Sequence, residues 1–213
     1  MNINEFLINH GFAPKEILLE AAKMADVMES GLNAKQDVLP MIPAYLANGG
    51  NIADGESAVI IDAGGTNFRT ALVTFNGGKY FVEGMMKCKM PGAVNPATWK
   101  EFISFIADKI QPLLSNTDKI GFCFSYNAEI TPDIDAKVVK IDKEITITGC
   151  EGKMVGKALV KELESRGIYG KRVVILNDTI AVLMGGSATL DKSKYDGFIG
   201  EVSGTGMNVC CEL

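Results

Sequence analysis

The chain has 213 residues, of which 47% are apolar and 22% charged, enough to bury one large core or two small ones. Its net charge of −5 excludes the positive field that a nucleic-acid binder needs, but not a nucleotide ligand, whose phosphates can be held by backbone amides and a metal. The one histidine, His10, excludes a His-based triad or a multi-His metal site, so a catalytic base has to come from the carboxylates or lysines.

Met1 to Phe12 has no signal-peptide pattern, and no apolar run reaches the roughly 20 residues of a membrane span. From Pro14, an apolar stripe of Ile17, Leu18, Ala21, Ala22, Met24, Ala25 and Met28 predicts an amphipathic helix over 14–30, stopped by Gly31. Residues 38–48 form a short segment broken by Pro40 and Pro43, and 48–57 read as a linker. A buried strand is expected at 58–61. Strands at 68–75 and 79–88 flank the turn Asn76-Gly77-Gly78. A helix is expected over 96–114, a buried strand at 119–124, a helix over 151–166 stopped by Gly167, and a buried strand at 172–176. An apolar helix over 180–190 and a hairpin of 196–202 with 207–213 complete the order. Hairpins first, then strands alternating with helices, predict an α/β fold with a mixed sheet. The five cysteines, Cys88, Cys123, Cys150, Cys210 and Cys211, include no C-x-x-C pair. They read as reduced, mostly buried thiols of a cytoplasmic protein.

Four segments carry chemistry. Asp62-Ala63-Gly64-Gly65-Thr66-Asn67-Phe68-Arg69 follows a buried strand and leads into another strand. That context excludes the dinucleotide fingerprint and the Walker loop, both of which open a helix. Two glycines let the backbone approach a phosphate, amides and the Thr66 hydroxyl can donate to it, and Asp62 can orient a magnesium ion through water. The alternative is an ordinary tight turn with a capping Asp. Leu176-Asn177-Asp178-Thr179 puts a carboxylate at the carboxyl end of a strand, where open α/β sheets bind ligands. Taken alone, it reads as a helix start with Asp178 as N-cap. Gly204-Thr205-Gly206-Met207-Asn208 is a second glycine turn, equally readable as a turn only. Ser125, Asn127, Asp142, Lys143 and Glu144 are polar groups between apolar strands, suited to sugar hydroxyls or to plain solvation.

Taken in order, IIDAGGTNFRTALV, FSYNAEI, VVKIDKEITITGCEG, VVILNDTIAVLMGG and VSGTGMNVCCE resemble the hexokinase family, of the actin-like, sugar kinase and heat-shock ATPase superfamily. The resemblance implies a ribonuclease-H-like mixed sheet with flanking helices in each of two lobes. It implies an N-terminal helical segment over 1–50 that packs on the second lobe, a small lobe over 51–178, and the hinge and start of the large lobe over 179–213. It also implies a kinase that moves the γ-phosphoryl of ATP, with Mg2+, to the 6-hydroxyl of a hexose such as glucose, mannose or fructose.

Residue by residue, the resemblance implies that Asp178 is the catalytic base. Asn177, Ser125, Lys143 and Asn208 would contact sugar. Asp62, Gly64, Gly65, Thr66, Asn67 and Arg69 would form the first phosphate motif, and Gly204, Thr205 and Gly206 the second. Asn127 stands where the family's Ser-Phe-Pro segment has proline, and Asp142 stands where its Thr-Lys contact has threonine, so the sugar loop departs from the pattern. Family members continue past the second phosphate motif into the adenosine pocket. The chain is therefore read as a truncated part, inactive alone, in need of a missing part or associating with itself. The alternative function is a non-catalytic sugar-binding module of the same superfamily.

Overall fold

The structure, a computed structural model, describes residues 2–10, 17–33, 39, 41–46, 52–141, 144–190, 192–203 and 207–211. The chain forms two compact units, Met1–Pro43 and Ala44–Leu213. The first holds helices α1 (Ile3–Asn9) and α2 (Ile17–Asn33). Gly31 does not end α2, as the sequence suggested; the helix runs on to Asn33. A side chain at Gly31 would collide with the Leu39 carbonyl, so this glycine permits close approach of the following segment. Residues 41–46 carry no regular secondary structure.

The second unit runs β1 (Ser57–Gly64), β2 (Asn67–Asn76), β3 (Lys79–Lys89), β4 (Ala97–Thr98), α3 (Trp99–Ile110), β5 (Lys119–Phe124), β6 (Asn127–Ile130), β7 (Ala136–Lys140), β8 (Ile147–Thr148), α4 (Val155–Ser165), β9 (Arg172–Leu176), α5 (Asp178–Thr189), β10 (Ile199–Ser203) and β11 (Met207–Cys211). The main sheet has the order β3-β2-β1-β5-β9. Its first three strands are antiparallel, and β1, β5 and β9 are parallel. This is the mixed sheet expected from the sequence. Hairpins β6–β7 and β10–β11 and the short pair β4–β8 stand apart from it.

Alternation within the strands decides which face is covered. Val59, Ile61 and Ala63 of β1, Ile120, Phe122 and Phe124 of β5, and Ile175 of β9 join one core with Phe102, Ile106 and Ile110 of α3 and Leu159 and Leu163 of α4. Asp62, Cys123 and Leu176 lie on the other face and are only half-buried.

The expected helix over 96–114 is shorter. Thr98 and Glu101 form a reciprocal capping box that starts α3, and the chain tightens into a 3-10 helix at Gln111–Asn116, with Pro112 in its first turn. The expected helix over 151–166 begins only at Val155, where Met154 offers no capping side chain. The cap comes from far away in sequence. Buried Asp135 accepts from the Gly156 amide at 2.6 Å, the Lys157 amide at 3.0 Å and the Ala136 amide at 2.7 Å. None of the five cysteines is in a disulfide, and only Cys150 is fully buried, because the others sit on half-covered strand faces. No helix among the described residues is long and apolar enough to cross a membrane.

Candidate active site

The ends of β1, β5 and β9 are in register: Asp62 pairs with Cys123, and Cys123 with Leu176. Parallel strands put their carboxyl ends on one edge. The β1–β2 turn, the β5–β6 connection and the start of α5 therefore leave the sheet together.

At the first exit, Gly64 and Asn67 close a two-residue turn. Gly65 has φ +54, the glycine-first placement of a hairpin turn. A Cβ on Gly65 would collide with the Glu144 carboxylate, so backbone and acid approach as only glycine allows. The Arg69 guanidinium donates to Asp62 Oδ2 at 2.6 Å across the β1–β2 ladder, while Asp62 Oδ1 faces Gly64. Asn67 Nδ2 donates to the Thr66 hydroxyl at 3.3 Å.

At the second exit, the Ser125 amide donates to the Ala63 carbonyl at 3.3 Å, which brings Ser125 against the glycine turn. Tyr126 is buried with its ring edge-on to Phe124 and Phe102, and its hydroxyl donates to the Gly65 carbonyl at 2.7 Å. Burial, then the Glu144 and Asp62 carboxylates, push the Tyr126 phenol above its ordinary range, so it stays a donor. Asn127 opens β6, is exposed, and makes no hydrogen bond to the other site residues among the described ones.

At the third exit, the N-cap of α5 is Asn177, not Asp178. Asn177 Oδ1 accepts from the Thr179 amide at 3.2 Å, the Thr179 hydroxyl at 2.6 Å and Asn208 Nδ2 at 3.0 Å. Asn208 also donates to the Thr179 hydroxyl at 3.2 Å, tying β11 to the start of α5. Asp178 is half-buried. Among the described residues its carboxylate meets only the adjacent Thr179 amide, at 2.8 Å, and no cation.

Cys123 registers the electrostatics of this edge. Its thiol is pushed up to about 11, first by burial, then by the Asp62 carboxylate, against an opposing hydrogen bond with Ser125, with the Asp178 carboxylate a smaller raising effect. Asp62 at the end of β1 and Asp178 at the start of α5 thus both act on this one thiol of β5. Among the described residues no group of three or more His, Cys, Asp or Glu side chains is placed to hold a metal ion. Two clefts, of about 370 and 470 Å3, lie at the opposite, amino-terminal edge, and both are lined by Glu56, Ser57 and Lys119.

Of the residues singled out from sequence, Asp62, Gly64, Gly65, Thr66, Asn67, Arg69 and Ser125 gather at the first two exits, and Asn177, Asp178 and Asn208 at the third. Asp142, Lys143, Gly204, Thr205 and Gly206 lie outside the described residues. Sequence reasoning missed Tyr126, Thr179 and Cys123 as parts of this edge. A period-two reading of 122–126, with Phe122, Phe124 and Tyr126 inward, was the signal available for Tyr126 and Cys123. Nothing local marks Thr179 as part of this edge, because beyond its neighbours Asn177 and Asp178 its partners, Asn208 and Cys210, come from β11.

A hexokinase family model matches residues 2–188. The chain belongs to the hexokinase family. It is 30% identical over 192 residues to hexokinase-1 of Saccharomyces cerevisiae, covering 86% of this chain and 39% of that protein. It is 28% identical over 206 residues to hexokinase-1 of Schizosaccharomyces pombe, covering 92% and 42%. This hexokinase-family chain thus spans about two-fifths of the length of those curated relatives. Among solved structures it is similar to the hexokinase of Schistosoma mansoni complexed with glucose, with a TM-score of 0.68 and 26% identity over 90% of this chain and 45% of that one. A sugar kinase fold at 19% identity and TM-score 0.52 agrees on the actin-like architecture alone.

Proposed function

We propose that the protein containing this chain is an ATP-dependent hexokinase. In this reading the β1–β2 glycine turn grips nucleotide phosphate, Ser125, Asn177 and Asn208 belong to the sugar side, and Asp178 is the general base. Asn127, Asp142 and Lys143 would complete the sugar loop, and Gly204, Thr205 and Gly206 the second phosphate turn. The division into a small lobe at 51–178 and the beginning of a large lobe at 179–213 belongs to the same proposal. The observation that carries it is the common exit of the Asp62 turn and the Asp178 carboxylate at one edge of three in-register parallel strands. Asn177 caps α5, and among the described residues the Asp178 carboxylate accepts only the Thr179 amide, on Oδ1.

The chemistry follows. The Asp178 carboxylate accepts the proton of the sugar hydroxyl as its oxygen bonds to the γ-phosphorus. The bond from that phosphorus to the β,γ-bridging oxygen breaks, and ADP leaves with the electron pair. Amides of the glycine turn hold the phosphates by donated hydrogen bonds, at little reorganisation cost. Asp62, whose Oδ2 is paired with Arg69, offers Oδ1 beside those amides, a donor set that fits a nucleotide-bound Mg2+ only if held largely through water. When bound, that ion supplies charge neutralisation between phosphoryl oxygens.

The test is Asp178→Asn in the intact protein. Turnover is expected to fall about 100- to 10,000-fold, while glucose affinity by calorimetry stays within about threefold. Turnover near that of the unaltered protein would refute the base assignment. Glucose binding with no phosphorylated sugar from the unaltered protein would favour a non-catalytic sugar-binding module.

A further inference from the structure

Resting on that reading, we infer that Tyr126 is a positioning residue for nucleotide, its hydroxyl locking the Gly65–Thr66 peptide plane of the phosphate turn. The contact joins residues 61 apart in sequence, one on the sugar side and one in the glycine turn. A peptide unit is planar and trans, so its N–H points opposite to its C=O. With the Gly65 carbonyl held by Tyr126 at 2.7 Å, the Thr66 N–H is directed away from the buried ring. Gly65, at φ +54, has no Cβ to resist a flip of this plane. The hydroxyl supplies that resistance.

The ring cannot follow a moving turn. It is 9% exposed and sits edge-on to Phe124 at 5.1 Å and to Phe102 at 6.5 Å, both within the core. The Ser125 amide, one residue before, is itself bonded to the Ala63 carbonyl, one residue before Gly64. The two segments are therefore stitched twice, and only the second stitch sets the orientation of a turn amide. A phosphate-binding amide held in place before ligand arrives loses less conformational freedom on binding.

The test is Tyr126→Phe, which removes the oxygen and keeps the ring. Backbone 15N relaxation on the intact protein decides the lock. The order parameters of the Gly65 and Thr66 amides are expected to fall from about 0.85 toward about 0.6, with those of β1 and β2 unchanged. In the intact protein, KM for ATP is expected to rise about three- to tenfold, the range one neutral hydrogen bond sets, with kcat and KM for glucose within about twofold. A variant that merely folds less well would instead lower kcat at unchanged KM. Unchanged order parameters, or a loosened turn together with unchanged KM for ATP, overturn the proposal. Should the unaltered protein fail to transfer phosphate at all, the kinase reading falls, and the relaxation result still decides the lock.

Discussion

Replacing Asp135 with alanine is expected to destabilise the second unit by about 3–4 kcal/mol. The carboxylate is 5% exposed and receives three backbone amides. Two of them, on Ala136 and Gly156, are on buried residues, whereas Lys157 is exposed. A buried donor left without a partner costs about 1–3 kcal/mol, and an exposed one recovers water. Taking about 1.5 kcal/mol for each buried amide and about 0.5 for the third gives the figure, within the range expected for loss of a helix cap plus a buried acceptor. Asp135→Asn keeps an acceptor oxygen and loses the charge, so it should cost about half as much. A further substitution probes the same contact from the other side. Alanine normally favours a helix interior over glycine by about 1 kcal/mol, but a Cβ on Gly156 would lie 2.9 Å from Asp135 Oδ1 and 3.0 Å from its Cγ. Gly156→Ala should therefore destabilise. Urea unfolding followed by far-UV circular dichroism measures all three. A loss below about 1 kcal/mol for Asp135→Ala, or a gain for Gly156→Ala, would refute this account of how α4 begins.

Three further outcomes are expected. Iodoacetamide should label Cys123 about 100-fold more slowly at pH 8 than a thiol at the ordinary value of 9, since the two-unit rise to about 11 cuts the thiolate fraction by that factor. The rate should climb tenfold per pH unit up to about 11, and Asp62→Asn should speed it by removing the larger of the two carboxylate effects. Peptide mapping by mass spectrometry reads both, and insensitivity to Asp62 would count against the shared edge. Gly65→Ala should cost more than about 1–2 kcal/mol, since the left-handed backbone alone costs that much and the collision with Glu144 adds to it. Gly65→Ala combined with Glu144→Ala should recover only the collision part in thermal unfolding. Asn177→Asp keeps the capping oxygen and removes the amide donor, so stability should change by less than about 1 kcal/mol, while glucose affinity drops at least about tenfold by calorimetry.

The sheet was legible where residue chemistry is local. Asn76-Gly77-Gly78 marks the β2–β3 hairpin, and both glycines take positive φ, +57 and +73. Hairpin β6–β7 was not legible. Its connection, Thr131 to Asp135, contains no glycine, and the positive φ of +55 falls on Ile134, a residue that rarely adopts it. A register shift between Asn127 and Ala128 hides the alternation as well. Strands β4 and β8, of two residues each, are too short for any periodicity. In the candidate site, the motifs at Asp62 and Asp178 could be read because each sits at the end of an apolar strand. The contacts that hold them could not, because Tyr126 to Gly65 and Asn208 to Asn177 are set by folding and span 61 and 31 residues.

Core and site are one constraint. Val59, Ile61 and Ala63 are fully buried, so the residue between the last two, Asp62, must face the other way. Phe122 and Phe124 do the same for Cys123, and Ile175 for Leu176. A slip of β1 by one residue would turn all three apolar side chains outward and drive the Asp62 carboxylate into the α3–α4 core. Each large apolar side chain exposed costs about 1.5–3 kcal/mol, and an unpaired buried carboxylate costs several more. That total rivals the whole stability of a domain. The registration of Asp62 beside Cys123 and Leu176 is thus enforced by the apolar pattern, and the glycine turn and Asp178 inherit their shared edge from it.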